Sequence, residues 1–146
     1  MSFPILIHRW GVYHWEDFRF SDGSSKNKYW IALVCKIINP KTGSEHLIPS
    51  LIPTSQWEKY SSHSRWLIDT VVLEPGESRF FSKKTILDLK NIQWVKEETI
   101  QNAIKLKKLT YLGVLESNIV QKVEDAIKNA ETLSPNVIRI LLCEAE

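Results

Sequence analysis

Residues 10–20, WGVYHWEDFRF, and residues 29–38, YWIALVCKII, joined by SDGSSKNK at 21–28, decide the fold of this chain. The first stretch is crowded with aromatic side chains, a composition that suits a pleated, half-buried strand better than a helix. The second is almost continuously apolar, as expected of a strand covered on both faces. Between them Ser21-Asp22-Gly23-Ser24-Ser25 is a turn-forming cluster, so the two stretches predict neighbouring strands.

Working outward, Asn39-Pro40-Lys41-Thr42-Gly43 reads as a hairpin turn returning the chain into a third strand at 45–52, where Pro49 points to an edge or a bulge. An irregular polar stretch follows Thr54 through Ser64. A strand over 66–73 (WLIDTVVL) stops at Pro75-Gly76. Residues 85–95 (TILDLKNIQWV) alternate, with Ile86, Asp88, Lys90 and Ile92 on one side, which predicts a further strand with one partly polar face. Beyond Lys96 the pattern changes. Residues 97–104 fit a short helix, and 117–133 a longer one whose apolar positions Ile119, Val123, Ala126 or Ile127, Ala130 and Leu133 recur at three and four. Ser117 is placed to cap its start and Ser134-Pro135-Asn136 to end it. The tail 137–146 (VIRILLCEAE) fits strand or helix equally. Short strands followed by helices predict one mainly β domain over 1–146, a small barrel with C-terminal helices.

Composition narrows the function. With 43% apolar and 25% charged residues the chain has enough hydrophobic surface for a real core. No apolar run reaches the roughly 18 residues needed to span a bilayer, and the N-terminal run is too short for a secretion signal, so a cytoplasmic protein without membrane partners is expected. Cys35 and Cys143 have no metal or redox spacing and are expected as reduced, mostly buried thiols. His8, His14, His46 and His63 show no ligand spacing, so no metal site and no cofactor are expected. The net charge of +2 is unevenly spread. Residues 83–108 hold seven lysines against Asp88, Glu97 and Glu98, while 116–146 are net acidic. Such a split either offers a positive face to an anionic polymer or simply solvates the surface.

Several segments, in order, resemble the MazF/PemK toxin family over roughly residues 8–133. Gly11-Val12-Tyr13 is similar to that family's opening of its first strand. Asp22-Gly23-Ser24-Ser25 stands at its first loop, and Lys28-Tyr29-Trp30-Ile31-Ala32-Leu33 at the start of its second strand. Ile52-Pro53-Thr54-Ser55-Gln56 resembles the end of the third. Thr85-Ile86-Leu87 through Leu89-Lys90-Asn91-Ile92 resembles a later strand, and Tyr111-Leu112-Gly113-Val114-Leu115 the approach to the C-terminal helix. The resemblance implies an SH3-like barrel of about five to seven strands. It also implies a homodimeric, metal-independent endoribonuclease acting on single-stranded RNA and neutralised by an antitoxin protein.

Carried over residue by residue, the resemblance makes Lys28, Thr54, Asp88 and Lys90 the candidate catalytic groups. Ser24, Ser25, Lys26, Ser55, Gln56, Trp57, Lys83 and Lys84 become candidate RNA contacts. The chemistry needs a base for the 2′-hydroxyl, a cation for the phosphorane and an acid for the leaving oxygen. Lys28 stands where the family has Arg, which keeps the charge and loses the bidentate fork. Lys90 occupies a usually acidic position, and Asp88 one where some relatives carry Arg. Each residue also has a plainer role. Lys28 fits a strand-end surface lysine, Thr54 a turn, and Asp88 with Lys90 an ion pair across one strand face. The six tryptophans suit base stacking, although most are expected in the core or a dimer interface, with Trp57 the most exposed. A barrel that kept the fold and binds nucleic acid or protein without cleaving is the alternative to an enzyme, and an unrelated barrel serving as an assembly module is the third possibility.

Overall fold

A computed structural model describes residues 5–20, 22–38 and 46–143, with Ile37 described by its backbone alone. The hairpin turn expected at 39–43 and the last three residues of the tail lie outside the described residues. Among the described residues nine strands are formed: β1 (Ile5–Ile7), β2 (Gly11–Arg19), β3 (Ser25–Ala32), β4 (Lys36–Ile38), β5 (Leu47–Leu51), β6 (Thr70–Leu73), β7 (Thr85–Asp88), β8 (Gln93–Lys96) and β9 (Leu109–Val114). Four helices accompany them there: α1 (Trp57–Ser61), α2 (Glu97–Lys105), α3 (Ser117–Lys128) and α4 (Pro135–Leu141). The chain is mainly β, as expected, with more and shorter strands than the sequence pattern suggested. Of the described residues, those up to Ser50 together with Gln93–Val114 form one compact unit, and Leu51–Ile92 with those from Leu115 onward form another.

The first unit is built on a five-stranded antiparallel sheet in the order β8-β5-β3-β2-β9, open rather than closed on itself. A separate pair, β1 with β4, belongs to the same unit. Strand β2 pairs with β3 on one side and β9 on the other. Its start explains Gly11: a Cβ there would lie 2.8 Å from the Tyr13 ring and 2.9 Å from the His8 carbonyl, so only glycine fits. Past Trp15 the strand bulges. Asp17 adopts a left-handed φ of 55°, and its N–H, removed from the ladder, donates to the Asn27 side chain at 3.0 Å. The turn over Asp22–Ser24 is formed as expected, with Gly23 at φ 89°. The core is aromatic: Trp15 lies edge-on to Trp30 at 5.4 Å and to Phe18 at 4.9 Å, and all three are buried.

Two expectations change here. The apolar run 29–38 is not one strand; β3 stops at Ala32 and β4 begins at Lys36, with the Leu33 N–H reaching the Pro49 carbonyl at 3.0 Å. Uninterrupted hydrophobicity does not fix where a strand ends: Leu33 is buried although it lies outside both strands, while Cys35 is exposed. Pro49 does not mark a sheet edge, because β5 lies between β8 and β3.

In the second unit β6 and β7 pair antiparallel from Thr70↔Asp88 to Leu73↔Thr85, and Thr54 extends this pair by a bridge to Ile86. The stretch expected to be a strand over 66–73 begins instead as a 3₁₀ turn, Ser64–Leu67, and residues 85–95 divide into β7, a 3₁₀ turn at Leu89–Asn91, and β8. The polar stretch after Thr54 contains α1 rather than being irregular throughout. Helix α2 lies in the other unit and matches its expected span closely.

Helix α3 buries Ile119, Val123 and Ile127, the anticipated stripe, and lies against β6. It stops at Lys128, short of the expected end at Leu133. Ser117 is its first residue and Glu116 the cap position, the Glu116 carboxylate accepting instead from Ser78 Oγ and the Arg79 N–H. Ser134 does not end a helix; its hydroxyl accepts from the Val137 N–H and Pro135 occupies the first turn, so the pair begins α4. The undecided tail is therefore helical through Leu141. Between the helices Asp69, at a left-handed φ of 54°, accepts from the N–H groups of Glu131 at 3.0 Å and Thr132 at 2.8 Å. Cys35 and Cys143 are exposed, contrary to expectation, since each lies outside the strands and helices, between β3 and β4 and after α4.

Burial pushes the Asp69 carboxyl up, but the Thr132 hydroxyl and the two backbone donors outweigh it and hold it below its ordinary value. A carboxyl lowered in the folded state adds stability above its unfolded pKa and loses it as pH falls through the folded one. Asp69→Asn keeps a residue type tolerant of φ > 0 and should cost about 1–2 kcal/mol at pH 7, less at pH 3. Urea midpoints at the two pH values check this; equal losses at both overturn it.

Candidate functional site

The four candidate catalytic residues fall in both units: Lys28 in the first, and Thr54, Asp88 and Lys90 in the second. Lys28 sits on β3 directly opposite Trp15, so their side chains share a sheet face. It is half-buried, its ammonium lies 5.9 Å from the centre of the Phe20 ring, and among the described residues no carboxylate pairs with it. Nearby in sequence, Lys26 and Ser25 are exposed on the same strand. Ser24 is already engaged, donating its hydroxyl to Asp22 at 2.6 Å. That bond and the Ser24 N–H, ahead of the charge of Lys26, hold the Asp22 carboxyl below its usual value.

Asp88 and Lys90 do meet, at 2.9 Å, but for a different reason from the one the alternation implied. They are not two residues along one strand face. Asp88 ends β7 and caps the following 3₁₀ turn, accepting from the Lys90 N–H at 3.0 Å. The buried carboxylate also accepts from Tyr60 Oη at 2.8 Å and Asn91 Nδ2 at 2.9 Å. The Lys90 ammonium donates to the carbonyls of Trp66 and Ile68 as well as pairing with Asp88. Every donor of that ammonium has a partner, and the cluster ties α1, β7 and two 3₁₀ turns together. Its geometry is that of a structural clasp.

Thr54 accepts from the Gln56 N–H at 3.3 Å while its own backbone pairs with Ile86. Ser55 and Gln56 are exposed beside it. Trp57 is half-buried with the Lys84 ammonium 3.7 Å from its ring centre, so it is not the most exposed tryptophan. Lys84 also pairs with Glu74 at 3.5 Å, and Lys83 is exposed. Trp10, Trp15 and Trp30 are buried, whereas Trp66 and Trp94 are the exposed pair at 39% each.

None of the candidate residues predicted from sequence lines a groove of about 560 Å³ that lies in the first unit, between the bulged end of β2, the strand β8 and helix α2. Trp15 and Phe18 line its depth, and Trp94 stands on β8 at its side. Lys108 pairs with Asp17 at 3.2 Å across it. Its one sequence signal was the bulge-forming Glu16-Asp17 inserted between aromatic residues.

A titration isolates the second-unit cluster. Burial first, then the hydrogen bond to Asp88 and its charge, pushes the Tyr60 hydroxyl up to about 12. A raised acid adds stability that is whole below pH 10 and lost as pH climbs toward 12. Tyr60→Phe should therefore lower stability at pH 8 and show a smaller further loss between pH 10 and 12 than the parent. Circular-dichroism melts across that range check it; parallel curves would sink it. The chain matches no protein-family model, no curated protein and no solved structure.

Proposed function

We propose that this chain binds single-stranded RNA through the β2–β3 hairpin of its first unit, as a divergent MazF/PemK-like protein. The observation that carries this reading is the charge of Lys28, which no carboxylate among the described residues neutralises. A half-buried ammonium without a carboxylate loses hydration and gains little in return, and an arriving phosphate supplies the missing partner. Exposed Lys26, Ser25 and the turn at Asp22–Ser24 lie along the same hairpin, where a strand's phosphates can follow.

Cleavage is the second reading, favoured by the charge of Lys28, which pairs with no carboxylate among the described residues. In it the 2′-oxygen bonds to phosphorus, the bond to the 5′-oxygen breaks, and the proton lost from the 2′-hydroxyl is matched by one gained at the 5′-oxygen. A 2′,3′-cyclic phosphate and a 5′-hydroxyl result. Asp88 and Lys90 take no part, being committed to each other and to the turn. An antitoxin partner belongs to this reading alone.

Lys28→Ala should weaken binding of a short single-stranded RNA about tenfold or more, and Lys28→Arg should retain it. Affinity should fall steeply from 50 to 300 mM salt. With EDTA present, cyclic phosphate ends distinguish cleavage from binding, and under cleavage Lys28→Ala should lose about 10²–10³-fold in rate. Native affinity in Lys28→Ala, or equal affinity at the two salt concentrations, would falsify the RNA reading.

We also propose a second copy of the chain as the partner of β9, the strand at one end of its sheet, where Leu112 is 43% exposed. Sedimentation at micromolar concentration should show a dimer that Leu112→Lys dissociates; a monomeric parent protein refutes it.

A further inference from the structure

The groove beside β8 collects groups that have nothing to bind within the described chain. Trp94 is 39% exposed and has no ring partner among the described residues. Arg19 and Lys96, both exposed at the groove, pair with no carboxylate among those residues. The side chains of Thr99 and Asn102, on successive turns of α2, make no hydrogen bond among them either. Four unused polar groups and an exposed indole thus face one concavity of about 560 Å³, a size typical of small-molecule sites.

We propose that this groove is a nucleotide site, the base stacking on Trp94 and the phosphate lying against Arg19 and Lys96. The chemistry favours that ligand over others. An indole face and two cations suit a flat aromatic group carrying an anion. Asn102 offers both a donor and an acceptor, and Thr99 a hydroxyl, which match the edge of a base. The ion pair of Lys108 with Asp17 leaves the cationic excess in place, because it is internally neutral. An acidic peptide would use the cations and leave the indole and the amide idle.

The left-handed backbone of Asp17 belongs to the same site. The bulge gives β2 one extra residue, and Asp17, Phe18 and Arg19 all line the groove beyond it. A sheet continuing without the bulge would carry the side chains after Trp15 to the opposite faces.

The nucleotide can be a free mononucleotide or one residue of a strand, and only the second case rests on the RNA-binding reading above. The two are separated with an eight-nucleotide single-stranded RNA and with adenosine and uridine 5′-monophosphates, titrated into the full chain. Trp94→Ala should weaken binding about tenfold, and Trp94→Phe, which keeps a stacking face, less than about threefold. The double variant Arg19→Ala, Lys96→Ala should flatten the salt dependence of octamer binding by about one to two in log–log slope. Asn102→Ala should change the preference between the two mononucleotides. Trp94 stands on a sheet-end strand, so a native circular-dichroism melt confirms that its variants are folded. Octamer binding lost in Lys28→Ala and unchanged in Trp94→Ala overturns the groove and leaves the hairpin standing. Mononucleotide binding without octamer binding supports the groove and overturns the hairpin. No binding of either overturns both, and inorganic phosphate competing as well as a mononucleotide overturns the base-stacking assignment.

Discussion

Strand β2 holds the first unit together because it is hydrogen-bonded along both edges, to β3 and to β9. Its first half is also covered, with Val12, Tyr13 and Trp15 all nearly inaccessible to solvent, while Glu16, Asp17 and Arg19 are exposed. The aromatic cluster formed with Trp30 and Phe18 fills that space with few side chains. Close packing also fixes what precedes it: Gly11 has no room for a methyl group, and the Tyr13 hydroxyl accepts from the His8 N–H at 3.0 Å. The bulge after Trp15 is where this rigid ladder yields, and the groove opens there.

The second unit is ordered by carboxylates used as backbone acceptors. Asp88 caps a turn, Asp69 gathers the segment after α3, and Glu116 receives the chain at Ser78 and Arg79. These contacts replace the hydrogen bonds that short strands and one-turn helices cannot make for themselves. A titratable group spent in this way is unavailable for acid–base chemistry, which separates Asp88 and Lys90 from Lys28.

The parts of this fold legible in the sequence were those carried by local periodicity. The stripe Ile119, Val123, Ile127 and the aromatic strand at 10–20 follow directly from side-chain spacing. Breaks inside apolar runs were not legible, since Leu33 to Cys35 differs little in hydrophobicity from the strand before it. Ser134-Pro135 is ambiguous in principle, for the same pair closes one helix and opens another, and only the tail's burial at Leu141 decides. Of the candidate site, the residue types were readable and their commitments were not. Whether a lysine is free depends on carbonyls such as those of Trp66 and Ile68, more than twenty positions away in the chain. Trp94 and Asn102 lie on adjoining elements, whereas Arg19 ends β2 far earlier in the chain, and no linear motif joins it to them.

The pairing of β2 with β9 joins Gly11 to Val114. All of the second unit's first segment lies between these partners in the chain. Closing so long a loop carries an entropic cost that grows only slowly with length, yet the closure has to wait until the intervening chain exists. Contacts this distant slow folding. On the ribosome, β2 and β3 emerge long before β9, leaving an aromatic strand with one edge unpaired during synthesis. The newborn chain is therefore exposed to edge-to-edge association over an interval set by translation rather than by its own folding rate.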